Sequence, residues 1–173
     1  MNDVIRAIEK RRSVRSFESE QIETDELKLI LEAGTYAASG MGRQSGKIIV
    51  VQDKETVSLL SKLNARVLGA DTDPFYGAPT VLVVMADSNV PTCVEDGALV
   101  MGNLMLAAHS LGIGSCWIHR AKEVFETPEG KELMKKWGVP ETYRGVGHCI
   151  LGYTNPNKIG EAKPRKEDFI VWA

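Results

Sequence analysis

The stretch KRRSVRSF, Lys10 to Phe17, crowds four cations into six residues of a chain whose formal net charge is -2. Far along the chain a second cluster, EAKPRKED, sets Lys163, Arg165 and Lys166 around Pro164. Proline fixes its own φ, so the side chains flanking it are aimed in a set direction. Arg11, Ser13 and Arg15 at one end, with Lys163 and Arg165 at the other, are suitable groups to clamp one phosphate monoester. Each charge-assisted hydrogen bond of such a clamp contributes roughly 1.5–3 kcal/mol. The residues alone leave another reading open. The two clusters can be unrelated solvated charge runs, the first complementing the negative end of a helix.

Other chemistries find little support. GIGSCW, Gly112 to Trp117, contains GxG but lacks the third glycine of a dinucleotide fingerprint. It also follows a helical pattern and enters a strand, whereas phosphate binding wants glycines that open a helix. There is no GxxxxGKS/T loop and no GxSxG elbow. His109, His119 and His148 show no metal-binding spacing. Cys93, Cys116 and Cys149 are odd in number and never in CxxC pairs, as expected of reduced, buried thiols in a cytoplasmic protein. A pI near 6.0 argues against general binding to nucleic acid or a membrane surface. No apolar run reaches the roughly 18 residues of a membrane span, and the start MNDVIRAIEKRR is not a signal peptide.

The elements that must hold these groups can be read from periodicity. The 173 residues suit one domain, residues 1–173. Asn2 or Asp3 caps a short helix with Val4, Ile5 and Ile8 on its apolar face, ending near Lys10 and leaving RSVRSF extended. Thr24 is expected to cap a second helix, carrying Leu27, Ile30, Leu31 and Gly34. KIIVVQ (47–52) reads as a strand, with Asp53 capping the helix after it. TVLVVMAD (80–87) is apolar on both faces, hence central. Thr92 and Glu95 form an expected capping box at the start of a helix over 94–111 that is apolar almost all round. That pattern fits burial within one subunit or cover by a second, with Gly97 and Gly102 allowing another backbone close. SCWI (115–118) and 143–153 read as strands, and Thr127, Pro128 and Gly138 bracket a helix between them. The mixture lacks a regular βαβ repeat, so the expected fold class is α+β, helices packed on a sheet.

Four motifs come in one order: RRSVRSF, then AASGMGRQ after the second helix, LGIGSCWI after the long apolar helix, and GHCILGY followed by KPRK. Together, over essentially the whole chain, they resemble the FMN-dependent nitroreductase family. The resemblance implies a central, mainly antiparallel sheet flanked by helices, in an intertwined homodimer with FMN at the subunit interface. It implies an enzyme in which NADH or NADPH is co-substrate and the flavin reduces a nitroaromatic, quinone or related small-molecule acceptor by a ping-pong sequence. The alternative is an FMN-binding module, for storage or sensing, without turnover.

By motif, the resemblance puts Arg11, Arg12 and Ser13 at the phosphate, joined by Lys163 and Arg165. It puts Arg15 beside the pyrimidine edge of the flavin and Asn64 as its amide partner. Ser39, Gly40, Gly42 and Gln44 belong to a loop reaching the flavin from the other subunit. Cys116, Trp117, Ile118, His119 and Arg120 line the ring, with backbone N–H groups near His119 and Arg120 facing N5 and O4. No catalytic side chain is implied, since the cofactor carries the reaction. A fixed cation at Arg15 would favour the negative charge that reduction places at N1, most strongly where water is excluded. The loop departs from the family pattern: Ala38 stands for proline, Gly42 for asparagine, and Ser45–Gly46 for proline-aromatic.

Overall fold

A computed structural model describes residues 2–173. In chain order the elements are α1 (Asp3–Lys10), α2 (Thr24–Thr35), β1 (Gly46–Val51), α3 (Lys54–Leu68) and β2 (Thr80–Asp87). They continue with α4 (Cys93–Ser110), β3 (Gly114–Ile118), α5 (Ala121–Glu126), α6 (Pro128–Lys136) and β4 (Tyr143–Gly152). The sheet is antiparallel throughout, in the order β1-β2-β4-β3. Side-chain alternation along β2 divides the core between two layers. Val81, Val83 and Met85 pack with Leu60, Leu63, Phe125 and Leu133 of α3, α5 and α6. Leu82, Val84 and Ala86 pack with Ile30, Met101 and Leu104 of α2 and α4. Each fully buried Val, Leu, Ile, Phe or Met among these contributes about 1.5–3 kcal/mol, and β2 is apolar on both faces because helices cover both.

Several helix ends follow the sequence. The Asn2 side chain accepts from the Val4 N–H, Asp53 from Thr56, and Thr127 from Gly130 ahead of Pro128. Two expected caps are not made. Glu23 holds the N-cap position of α2 without a side-chain bond, and Thr24 is already helical. Thr92 does precede α4, but its hydroxyl makes no cap bond and instead serves the Asp96 carboxylate, so no capping box forms with Glu95. The pull of a buried anion one turn inside the helix outweighs a neutral cap.

The apolar character of α4 is used unevenly. Gly97 lies against β4 of its own chain, where a Cβ would meet Val146 at 2.6 Å. Gly102 faces open space, and Val94 and Leu99 remain exposed. The first turn of α4 also fastens the loop between α2 and β1. Asp96 is buried; its Oδ1 accepts the Gly40 N–H at 2.9 Å and its Oδ2 the Ser45 hydroxyl at 2.6 Å. A side chain at Gly40 would collide with the Thr92 hydroxyl, so only glycine fits there. The Ser45 hydroxyl first, then the Gly40 N–H, hold the Asp96 carboxyl below its usual range, against the opposing effect of burial.

His148 of β4 is another polar group deep in the core. Its fully buried ring is tilted against Phe75 at 5.2 Å and Phe125 at 6.0 Å between centroids. Burial pushes its pKa down to about 4, outweighing the Ile118 backbone, so the ring is neutral near pH 7.

Two tests follow from these buried groups. Asp96→Ala leaves the Gly40 N–H and the Ser45 hydroxyl without their acceptor, and hydrogen bonds to a charge are worth about 1.5–3 kcal/mol each. Urea unfolding should shift accordingly, and trypsin should cut after the exposed Arg43 faster; an unchanged midpoint with unchanged cleavage refutes the anchor. For His148, the unfolded chain takes up a proton near pH 6.5 that the folded ring refuses until about pH 4. Stability therefore falls as pH drops through that window. In His148→Phe the melting temperature should depend less on pH between those limits, and an identical slope would contradict the assignment.

Candidate functional site

The opening cations divide their work. Arg12 Nη1 donates to the Glu9 and Arg11 carbonyls at 2.6 and 2.7 Å, closing the C-terminal end of α1. The chain then runs extended beside β3: Ser13 bridges Ser115 in parallel fashion, and the Val14 N–H donates to the Ser115 carbonyl at 2.9 Å. Val14 is buried while Ser13 and Arg15 are exposed, the alternation of a strand. Arg11 Nη1 and Arg12 Nε are buried without a hydrogen-bond partner among the described residues. His109, in the last turn of α4, reports the field around them. Burial lowers its pKa most, followed by Arg11, Arg12 and Lys10. Buried, unpartnered guanidinium N–H groups in a positive field are costly unless an anion satisfies them.

The far end of the chain comes to the same place. The Thr154 hydroxyl donates to the Ser16 carbonyl at 2.7 Å, the Glu18 N–H to the Tyr153 carbonyl at 2.9 Å, and Lys158 Nζ to the Ser16 hydroxyl at 3.3 Å. A cleft of about 460 Å³ results, with Lys10, Arg12 and His109 on one side and Pro156, Glu161 and Ala162 on the other. Lys163 is the next residue, but it and Arg165 are exposed, and the Arg165 guanidinium donates back to the Lys163 carbonyl. No hydrogen bond joins either to Arg11, Ser13 or Arg15 among the described residues.

The end of β3 forms another part. Cys116 is buried, Trp117 and Ile118 are half-buried, and His119 is exposed. Trp117 lies over Gly147, where a Cβ would be 2.5 Å from its indole nitrogen. Arg120 takes a left-handed backbone, φ 72°, and starts α5. Asn64 of α3 sits beneath this turn at 1 % exposure, its Nδ2 donating to the His119 carbonyl at 2.8 Å. Cys149, across the sheet from Trp117, has its thiol pushed up to about 12, chiefly by burial, which leaves it inert.

The loop with Ser39, Gly40, Gly42 and Gln44 is not brought to the cations. It is tied to Asp96, and His109 lies on the same helix thirteen positions later, about 20 Å away at 1.5 Å per residue. A separate groove of about 800 Å³ between α3 and residues 70–79 contains none of the expected cofactor residues. Among the described residues no cluster of three or more His, Cys, Asp or Glu could hold a metal, and no helix is long and apolar enough to cross a membrane. Sequence reasoning missed the Asp96 anchor and the Asn64–His119 bond. An acid inside an apolar helix was a visible signal for the first; nothing local marks the second.

Comparison with known proteins bears on the family and the fold. The family model described as Nitroreductase family matches residues 8–153. A nitroreductase with bound FMN from Bacteroides fragilis superposes with a TM-score of 0.91 at 31% identity, covering all of both chains. One with bound FMN from Desulfitobacterium hafniense gives a TM-score of 0.87 at 29% identity, covering 100% of this chain and 99% of that one. An FMN reductase [NAD(P)H] of Bacillus subtilis is 30% identical over 188 residues, 95% of this chain and 70% of the relative. With a family match over most of its length, on a sheet and helices of the same arrangement, the chain belongs to the nitroreductase family.

Proposed function

We propose that this chain, as one unit over residues 1–173, is an FMN-dependent NAD(P)H oxidoreductase acting as a homodimer on nitroaromatic, quinone or related acceptors by a ping-pong sequence. The observation that carries this is the cation cluster: Arg11 Nη1 and Arg12 Nε are buried without an acceptor among the described residues, and Lys10 and Arg12 line the cleft beside the C-terminal segment. That donor set fits a phosphate dianion. Arg11, Arg12 and Ser13 would hold it, with Lys163 and Arg165 supplied from the segment that follows the cleft wall. Arg15, exposed two positions beyond Ser13, would set a positive charge against the pyrimidine edge. The β3 end, residues 116–120, would support the ring. When bound, FMN supplies the two-electron redox chemistry, accepting hydride from the nicotinamide and passing it to the acceptor. The protein's own share is to orient, to hold charge and to exclude water.

Assembly of two copies is supported by what one chain leaves undone. Val4, Ile5 and Ile8 are 59, 50 and 58% exposed, so the apolar face of α1 is left largely uncovered by its own chain. Leu99 of α4 and the closing residues Phe169 to Trp172 are likewise exposed. The loop from Ser39 to Gln44 stands about a helix length from the cations of its own chain, and a second copy would supply it to the cleft. Three buried, unpaired thiols suit a reducing cytoplasm.

A second reading, an FMN-binding protein without turnover, is favoured by one feature: the loop has Gly42 and Gly46 where the family pattern has an amide and an aromatic. One experiment separates the two. Purified protein loaded with FMN should be yellow, should bleach with NADH or NADPH without oxygen, and should regain colour with a nitroaromatic. Retained colour under NAD(P)H selects the second reading, and failure to take up FMN overturns both. Arg165→Ala should weaken FMN ten- to a hundred-fold, the effect of losing about 1.5–3 kcal/mol. Arg15→Ala should bind FMN but lower its reduction potential, measured by dye equilibration; an unchanged potential removes Arg15 from the ring.

A further inference from the structure

Asn64 has a role that a direct cofactor contact does not describe. Its side chain is nearly sealed from solvent, and its Nδ2 is already engaged at 2.8 Å by the His119 carbonyl. The same nitrogen lies 3.5 Å from His148 Nδ1, so a neutral, fully buried ring backs the amide. The carbonyl that it holds belongs to the peptide joining His119 to Arg120. In a trans peptide the C=O and the following N–H point in opposite directions. Pulling the His119 carbonyl inward onto Asn64 therefore turns the Arg120 N–H away from α3. That N–H has no acceptor among the described residues. Arg120 itself is left-handed, a conformation that costs a non-glycine residue roughly 1–2 kcal/mol and persists only where its surroundings impose it. A buried amide below and the start of α5 ahead supply that constraint.

We propose that Asn64 is a positioning residue: by holding the His119 carbonyl it fixes the Arg120 N–H as a free donor facing away from α3, for the N5 edge of a bound flavin. This rests on the functional reading above, but the orientation of the peptide is a property of the protein alone.

The test uses Asn64→Leu, similar in volume without a donor, and Asn64→Asp, similar in shape. In the second variant a protonated carboxyl can donate to the His119 carbonyl, whereas an ionised one repels it. In FMN-loaded protein, Asn64→Leu should shift the flavin absorption bands and slow anaerobic bleaching by NADH about ten-fold, roughly the worth of one hydrogen bond. Asn64→Asp should match the wild type at low pH and Asn64→Leu at high pH, while the wild type shows no such crossover. Without FMN, the Arg120 amide resonance should move in Asn64→Leu. An unmoved Arg120 signal, or variants with wild-type flavin bands and bleaching at every pH, overturns the proposal. Should the wild type take up no FMN, the reading of the cleft fails, and the Arg120 resonance alone still decides for or against the positioning role. Should Asn64→Leu fail to fold, the pH dependence of Asn64→Asp decides in its place.

Discussion

Asp96 and His109 lie on one rigid helix, and the distance between them separates the anchored loop from the cation cluster. At its N-terminal end α4 carries a buried carboxylate that ties down the loop from Gly40 to Ser45. At its C-terminal end it meets Lys10, Arg11 and Arg12, whose charges add to burial in lowering the pKa of His109. A helix does not compress, so about 20 Å separates the two. The sheet makes this geometry firm: α4 is pressed on β2 and β4 by Met101, Leu104 and the close approach of Gly97 to Val146. The outer face of the same helix, with Leu99 and Gly102, has no such partner among the described residues. Packing on one side and exposure on the other are what a two-fold arrangement of such helices would need.

The helix macrodipole suits this division. Asp96 in the first turn sits where partial positive charge gathers, and the cations lie near the end where carbonyls accumulate. Arg12 shows how far that explanation reaches, since its Nη1 is spent on the carbonyls at the end of α1. Arg11 shows where it stops. Its Nη1 finds neither a carbonyl nor water-exposed surface, and a helix end would have satisfied it at no cost. The basic stretch is thus partly a structural cap and partly an unsatisfied donor.

What the sequence made legible was whatever depends on neighbours along the chain. The apolar run from Thr80 to Asp87 became the central strand, and Asp53 and Thr127 cap as their positions suggest. Thr24 and Thr92 look equally like caps, yet neither forms one; at Thr92 a carboxylate from the next turn competes for the hydroxyl, and no local pattern encodes that. The short helix α5 was hidden because it starts from a left-handed arginine rather than a capping residue. The family motifs name the β3 end and the cation cluster as parts of one site, whereas Lys163 and Arg165 stay exposed, the Arg165 guanidinium bonded only to the Lys163 carbonyl two residues back.

The buried polar groups follow one rule. Asp96, Ser45, Asn64 and His148 are sealed from water in a core that is otherwise apolar. Asp96 and Asn64 accept or donate across more than fifty residues of sequence, each to the backbone of a segment bordering the proposed cleft or its distant loop. An apolar side chain at either place would pack as well, without the cost of burying a polar group, but it would leave the adjoining peptide free to turn. Hydrophobic contacts fix where a segment lies; only a directed hydrogen bond fixes which way its N–H points. For a protein whose reaction is carried by a bound cofactor and whose own task is orientation, that direction is the property worth burying an amide to keep.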